Sequence, residues 1–191
     1  MERMVSYSKT RRLVESAVMI AVGTVLSLFE FKGPWALGGG ITVCAMLPLV
    51  ILSFRYGMGW GTFSAFVFSV MQMLLGIKNV QYASSIPIAV GIILLDYIFA
   101  YSAIGLASVF SGKLRSKIKA VVAGIVFTFT IRFICHFLSG IFIWEALWPN
   151  ELGWAPWIWS FAYNMSYMLP EILITTAVAA LLEKPLSKTM A

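Results

Sequence analysis

An all-α membrane protein is predicted, with six transmembrane helices, both termini cytoplasmic and a ligand pocket near the outer face. Three observations predict it. The chain of 191 residues is 60% hydrophobic and only 12% charged, against roughly 45–50% and about 25% in an average soluble chain. Its mean hydropathy is +0.89, more apolar than a water-soluble globule could cover. Its basic residues gather on one side of the apolar stretches. Together these exclude a soluble enzyme, a disordered chain and a DNA-binding module.

A bilayer core asks for about 20 apolar residues per helix. Six stretches meet or approach this: Leu13–Leu28, Leu37–Phe54, Met58–Ile77, Ile86–Phe110, Ile118–Trp144 and Trp157–Leu182. They use most of the chain, so a single domain over residues 1–191 is expected. The first stretch follows a basic start, as in a signal peptide. Glu15 interrupts its apolar run and no small-x-small site closes it, so it reads as a helix. The second is the weakest. Gly38, Gly39 and Gly40 resist helix, Pro48 interrupts its middle, and Trp35–Gly40 reads as a loop that dips back towards the protein. Irregular backbone at membrane depth needs protein or a water-filled cavity around it.

Orientation follows from Lys and Arg. Arg3, Lys9, Arg11 and Arg12 precede the first stretch, and Arg55 follows the second. Lys113, Arg115, Lys117 and Lys119 lie between the fourth and fifth, and Lys184 and Lys188 follow the sixth. The other side has only Lys32 and Lys78, and the remaining one of the 14 basic residues, Arg132, is inside the fifth stretch. The net charge of +6 is therefore a topology signal; it calls for membrane lipid and no nucleic acid.

Tryptophan is as one-sided as the charge. Trp35, Trp144, Trp148, Trp154, Trp157 and Trp159 fall at the outer side and Trp60 alone at the inner side. An interfacial belt would populate both sides, so an outward-opening aromatic pocket competes with it. Five polar residues sit inside stretches: Asp96, Arg132, His136, Asn164 and Glu171. An ionisable group in lipid costs several kcal/mol and marks a functional position by default. At about 1.5 Å per residue, His136 lies roughly 12 Å below Trp144, Asn164 roughly 10 Å below Trp157, and Asp96 roughly 15 Å below Ile86. Three polar groups on three helices at one depth, under an aromatic cluster, describe a binding cavity. Arg132 and His136 share a face at i, i+4. Glu171 reaches the level of Arg132, where a buried ion pair would lock two helices; Arg132 could also neutralise Asp96. A carboxylate, an imidazole, an amide and aromatic faces suit a flat, heteroaromatic, cationic ligand.

Enzyme signatures are missing: no G-x-S-x-G, H-E-x-x-H or paired acidic cluster occurs, and His136 is the single histidine. Gly112-Lys113 is followed by Leu114, and Ala107 stands where a Walker A motif needs Gly, so a pump would need a partner to hydrolyse ATP. Cys44 and Cys135 read as plain buried thiols, with no metal or cofactor site. A stand-alone secondary transporter for a cationic heteroaromatic molecule is the competing class, though no internal symmetry supports it.

The string from Arg132 to Trp144, R-F-x-x-H-F-x-x-G-x-x-x-W, and the string from Tyr163 to Pro170, Y-N-x-S-x-M-L-P, resemble the thiamin-specific S-component of energy-coupling factor (ECF) vitamin transporters. Leu95-Asp96-Tyr97 and Ala17-x-x-x-Ala21 add to the likeness, which covers essentially the whole chain. The resemblance implies a subunit in the bacterial plasma membrane that captures thiamin from outside. It further implies partners: a transmembrane scaffold subunit and two cytosolic ATPases. Carried over by motif, the thiamin contacts fall on Trp35, Asp96, His136, Trp144, Trp159 and Asn164, with Tyr97 and Arg132 adjoining. The family pattern admits Glu at the helix-four acid and commonly Tyr at the helix-six aromatic, where this chain has Asp96 and Trp159. The small-residue strip of Ala17 and Ala21 would dock onto the scaffold.

Overall fold

The computed structural model describes residues 8–33 and 38–182. Helix α1, Lys9–Leu28, starts where Ser8 accepts a hydrogen bond from Arg11 N at 3.2 Å. A two-stranded antiparallel hairpin follows, β1 Glu30–Phe31 with β2 Ile41–Thr42. Then come α2, Leu47–Tyr56, α3, Met58–Leu75, and a single turn, α4, Ile77–Val80. Three long helices complete the described residues: α5, Ile86–Phe110, α6, Lys117–Leu147, and α7, Pro156–Leu181.

Among the described residues four helices, α3, α5, α6 and α7, are long and apolar enough to cross a bilayer. Helix α1 has the length, but Lys9, Arg11, Arg12 and Glu15 charge its first two turns. Helix α2 departs from the expectation of a helix over Leu37–Phe54. It has ten residues and begins only at Leu47, because Ile41 and Thr42 pair as a strand and Cys44 turns the chain with φ +58°. Pro48 stands in its first turn, where its missing N–H costs nothing, and not in its middle. An apolar helix this short belongs to a protein core more often than to a span, and Leu49, Val50 and Leu52 are fully buried. Among the described residues the chain is thus mostly helical, with one two-stranded hairpin.

The main core gathers Leu49, Leu52, Phe68, Ile104, Ile125 and Phe129 from α2, α3, α5 and α6. Small residues set how closely these helices approach. A Cβ on Gly105 of α5 would lie 2.3 Å from the Thr62 backbone of α3, and one on Gly124 of α6 would lie 2.3 Å from Ala107 O of α5. Cys44 is buried, whereas Cys135 is only half-buried, against the expectation of two buried thiols.

Two long helices depart from α geometry at matching places. Helix α5 is π-helical over Ile93–Phe99 and tightens to 3₁₀ turns over Ala103–Phe110. Helix α6 is π-helical over Gly140–Trp144. The two π segments face one another: Ile92, Tyr97 and Ile143 form a second apolar cluster, and Gly91 leaves room for the Ile143 side chain. Such segments are frequent at functional sites.

Candidate functional site

The π segments frame a cavity of about 190 Å³ between α5, α6, α7 and the hairpin. Asp96 stands in the π segment of α5 and Trp144 ends that of α6. The Trp144 indole N–H donates to Asp96 Oδ2 at 2.8 Å. His136 Nδ1 lies 3.3 Å from Asp96 Oδ1, an ion pair when the imidazole is protonated. His136 Nε2 is buried without a hydrogen-bond partner among the described residues. Asp96 therefore sits between an indole and an imidazole, and its neighbour in the site is His136, not Arg132.

One residue further along α5, Tyr97 also lines the cavity. Its hydroxyl donates to Gly76 O at 3.0 Å and accepts from Asn79 Nδ2 at 3.1 Å. The wider π turn lets consecutive residues serve the same cavity.

Helix α7 contributes an aromatic ladder at i, i+4 spacing, Trp159, Tyr163 and Tyr167, with ring centroids 5.7 and 6.2 Å apart. Trp154 extends it edge-on to Trp159. Asn164 donates to Ser160 O at 2.9 Å and accepts from the Tyr167 hydroxyl at 2.6 Å. It also reaches His136 O at 3.5 Å, so it ties α7 to α6 at the depth of the imidazole.

Below this layer, Arg132 Nη1 lies 2.5 Å from Glu171 Oε2, and both side chains are buried. Arg132 also stands 5.0 Å from the Tyr101 ring centroid. The Thr42 hydroxyl donates to the other Glu171 oxygen, which ties the hairpin to α7. The Tyr163 hydroxyl donates to Gly38 O at 2.7 Å. Gly39 has φ +92° and packs against Tyr167, where a Cβ would meet the ring at 2.7 Å. Gly38, Gly39 and Gly40 thus line the cavity, and the rest of the loop expected over Trp35–Gly40 lies outside the described residues.

Of the residues named from the sequence, Asp96, Tyr97, Arg132, His136, Trp144, Trp159, Asn164 and Glu171 all line this one cavity. Trp35 lies outside the described residues. Ala17 and Ala21 are on the exposed face of α1, away from the cavity. Sequence reasoning passed over Glu30, Gln72, Asn79 and Tyr167, named Tyr163 only within a motif string and Trp148 only within the outer aromatic group, and all six line it too. Trp148 shares an edge contact with Tyr82 at 5.8 Å, and Tyr82 meets Trp144 at 6.4 Å. The repeat of aromatics at 159, 163 and 167 was the signal for two of these. Gln72, a polar residue within an apolar stretch, was another.

Comparison with known proteins follows the same line. A family model described as "Thiamine transporter protein (Thia_YuaJ)" matches residues 13–191. The thiamine transporter ThiT of Bacillus subtilis (strain 168) is 30% identical over 180 residues, which span 90% of this chain and 89% of that one. Among solved structures, ThiT from Listeria monocytogenes superposes with a TM-score of 0.76 at 23% identity, covering 95% of this chain and 97% of the other. A structure titled as the S component of a bacterial ECF transporter superposes with a TM-score of 0.64 at 16% identity, covering 95% and 98%. At those identities the two structures speak for the fold.

Proposed function

The chain belongs to the thiamine transporter protein family, and from that premise we propose that it is the thiamin-capturing subunit of an ECF-type transporter. The family transports and is not enzymatic, the fold is that of an S component, and the chain is a multi-pass cell membrane protein.

One observation carries the ligand reading. Asp96, held by Trp144 and His136, presents a carboxylate to a cavity walled with aromatic rings. Thiamin joins a fixed-charge thiazolium ring to an aminopyrimidine. Aromatic faces attract the cationic ring, and carboxylate, imidazole and amide offer partners to the amino-heterocycle. In this reading Asp96, His136 and Asn164 are the polar contacts, and Trp144, Trp159 and Trp35 the stacking surfaces. Tyr97 holds the floor against the α3–α4 corner. Arg132 acts through its pair with Glu171, fixing α6 against α7 beneath the ligand.

The topology in this proposal has six spans, with both termini and the basic loops in the cytoplasm and the cavity opening outwards. The chain has no nucleotide-binding motif, so uptake draws on a transmembrane scaffold subunit and two cytosolic ATPases. Ala17 and Ala21, exposed on α1, form the docking strip.

The test is a thiamin titration of the detergent-purified chain, read by tryptophan fluorescence. Trp144 and Trp159 line the cavity, so saturable quenching below micromolar thiamin is expected. A flat titration into the millimolar range overturns the assignment.

A further inference from the structure

We propose that Glu30 is a specificity-determining residue. Its carboxylate is the free counter-charge that selects a ligand with a fixed positive ring and disfavours the same ligand bearing a phosphate. The inference rests on the thiamin reading of the cavity.

Four carboxylates line the cavity, and three are engaged. Asp96 accepts from Trp144 and stands beside His136. Glu145 accepts from Asn150 at 3.2 and 3.4 Å. Glu171 takes Arg132 and the Thr42 hydroxyl. The Glu30 carboxylate makes no hydrogen bond or ion pair among the described residues. Arg132 is the sole Lys or Arg among the described lining residues, and Glu171 cancels its charge. The cavity therefore carries uncompensated negative charge.

The position of Glu30 is built, not incidental. Strand β1 pairs Glu30 with Thr42, the residue that anchors β2 to Glu171. The Glu30 side chain crosses Gly40, where a Cβ would lie 2.2 Å from its Oε1 and 2.4 Å from its Cγ. Only a residue without a side chain leaves that path open, so the carboxylate is seated against the cavity wall. In a site partly shielded from water its field is stronger than in bulk solvent. It attracts a thiazolium and repels a phosphate ester, for which the described lining offers no free cation.

The experiment titrates the purified full chain with three probes: thiamin, thiamin monophosphate, and an isostere whose five-membered ring is an uncharged thiophene. Glu30→Gln should weaken thiamin about 10- to 100-fold, the range of a lost charge-assisted contact, and leave the thiophene isostere within about threefold. Monophosphate binding should hold or tighten, so the preference for thiamin over its phosphate narrows by about tenfold or more. Glu30→Asp keeps the charge and should keep most of the preference. Gly40→Ala displaces the carboxylate without altering it and should repeat the Glu30→Gln pattern, which keeps the question open to decision if Glu30→Gln does not fold. Parallel weakening of all three probes, or an unchanged preference, would make Glu30 a mere part of the hairpin and overturn the proposal. A wild-type chain that binds neither thiamin nor the isostere defeats the thiamin reading itself, before any variant is made.

Discussion

Asp96 is the residue on which the site turns, because its two oxygens meet two different side chains of α6, the Trp144 indole and the His136 imidazole. Losing its charge removes a charge-assisted contact worth about 1.5–3 kcal/mol. Asp96→Asn should therefore weaken thiamin binding in calorimetric titration more than Trp148→Phe, which keeps an aromatic face at an exposed position. Equal, small losses would assign Asp96 a structural role. Arg132 and Glu171 pose a different question. Breaking a buried pair from one side strands the other charge, at a cost of about 3–5 kcal/mol. Arg132→Ala should lower the thermal unfolding midpoint sharply, and Arg132→Met with Glu171→Met should recover much of it. A double variant as unstable as the two single losses combined would show that the pair is not the unit of stability. At this scale the sequence was informative where a residue was chemically out of place: Asp96, Arg132, His136, Asn164 and Glu171 announced themselves by being polar inside apolar stretches. Glu30 gave no such signal, since a carboxylate beside a predicted loop looks like an ordinary surface charge. Only the path across Gly40 turns it into the cavity.

Among the elements, length decided what was legible. Helices α3, α5, α6 and α7 were predicted with ends within about three residues, because a long apolar run admits one reading. The hairpin was not, since two-residue strands leave no alternation to detect. The departure of α2 followed from it: Ile41 and Thr42 are paired, Cys44 turns the chain at φ +58°, and the helix begins at Leu47. Close helix packing was equally silent in the sequence. Gly105 and Gly59 look alike there, yet a Cβ on Gly105 would collide with the Thr62 backbone at 2.3 Å, while one on Gly59 meets nothing within 4 Å. Gly105→Ala should thus destabilise by about 1–3 kcal/mol through overpacking. Gly59→Ala should be neutral or stabilising by up to about 1 kcal/mol through helix propensity. Thermal unfolding of both variants in detergent checks the contrast, and equal effects would mean that α3 and α5 can separate at little cost.

For the molecule as a whole, the two motif strings already carried the family, and their Arg132, His136, Gly140, Trp144, Tyr163 and Asn164 line one cavity. Helix α1 shows how the remaining surface is used. It turns Ser16 and Gly23 inwards, Gly23 against Ala45 and Phe68, and leaves Ala17 and Ala21 uncovered. Ala17→Trp with Ala21→Trp should therefore give a folded protein that still binds thiamin but neither co-purifies with the scaffold subunit nor supports uptake. Loss of folding would place the strip inside the bundle, and a retained complex would place docking on another face. The paired π segments carry a consequence for the whole chain as well. The N-terminal part of α5 is seated on Ile143, and its C-terminal part is packed on Thr62 and Gly124. Each part has its own rotational setting, and the π segment Ile93–Phe99 is the coupling that reconciles them. Removing one residue there would leave hydropathy and span length almost untouched. It would also draw the wide turn back to α geometry and take Asp96 and Tyr97 off the wall they share, so the number of residues in this segment shapes the cavity as much as their identity.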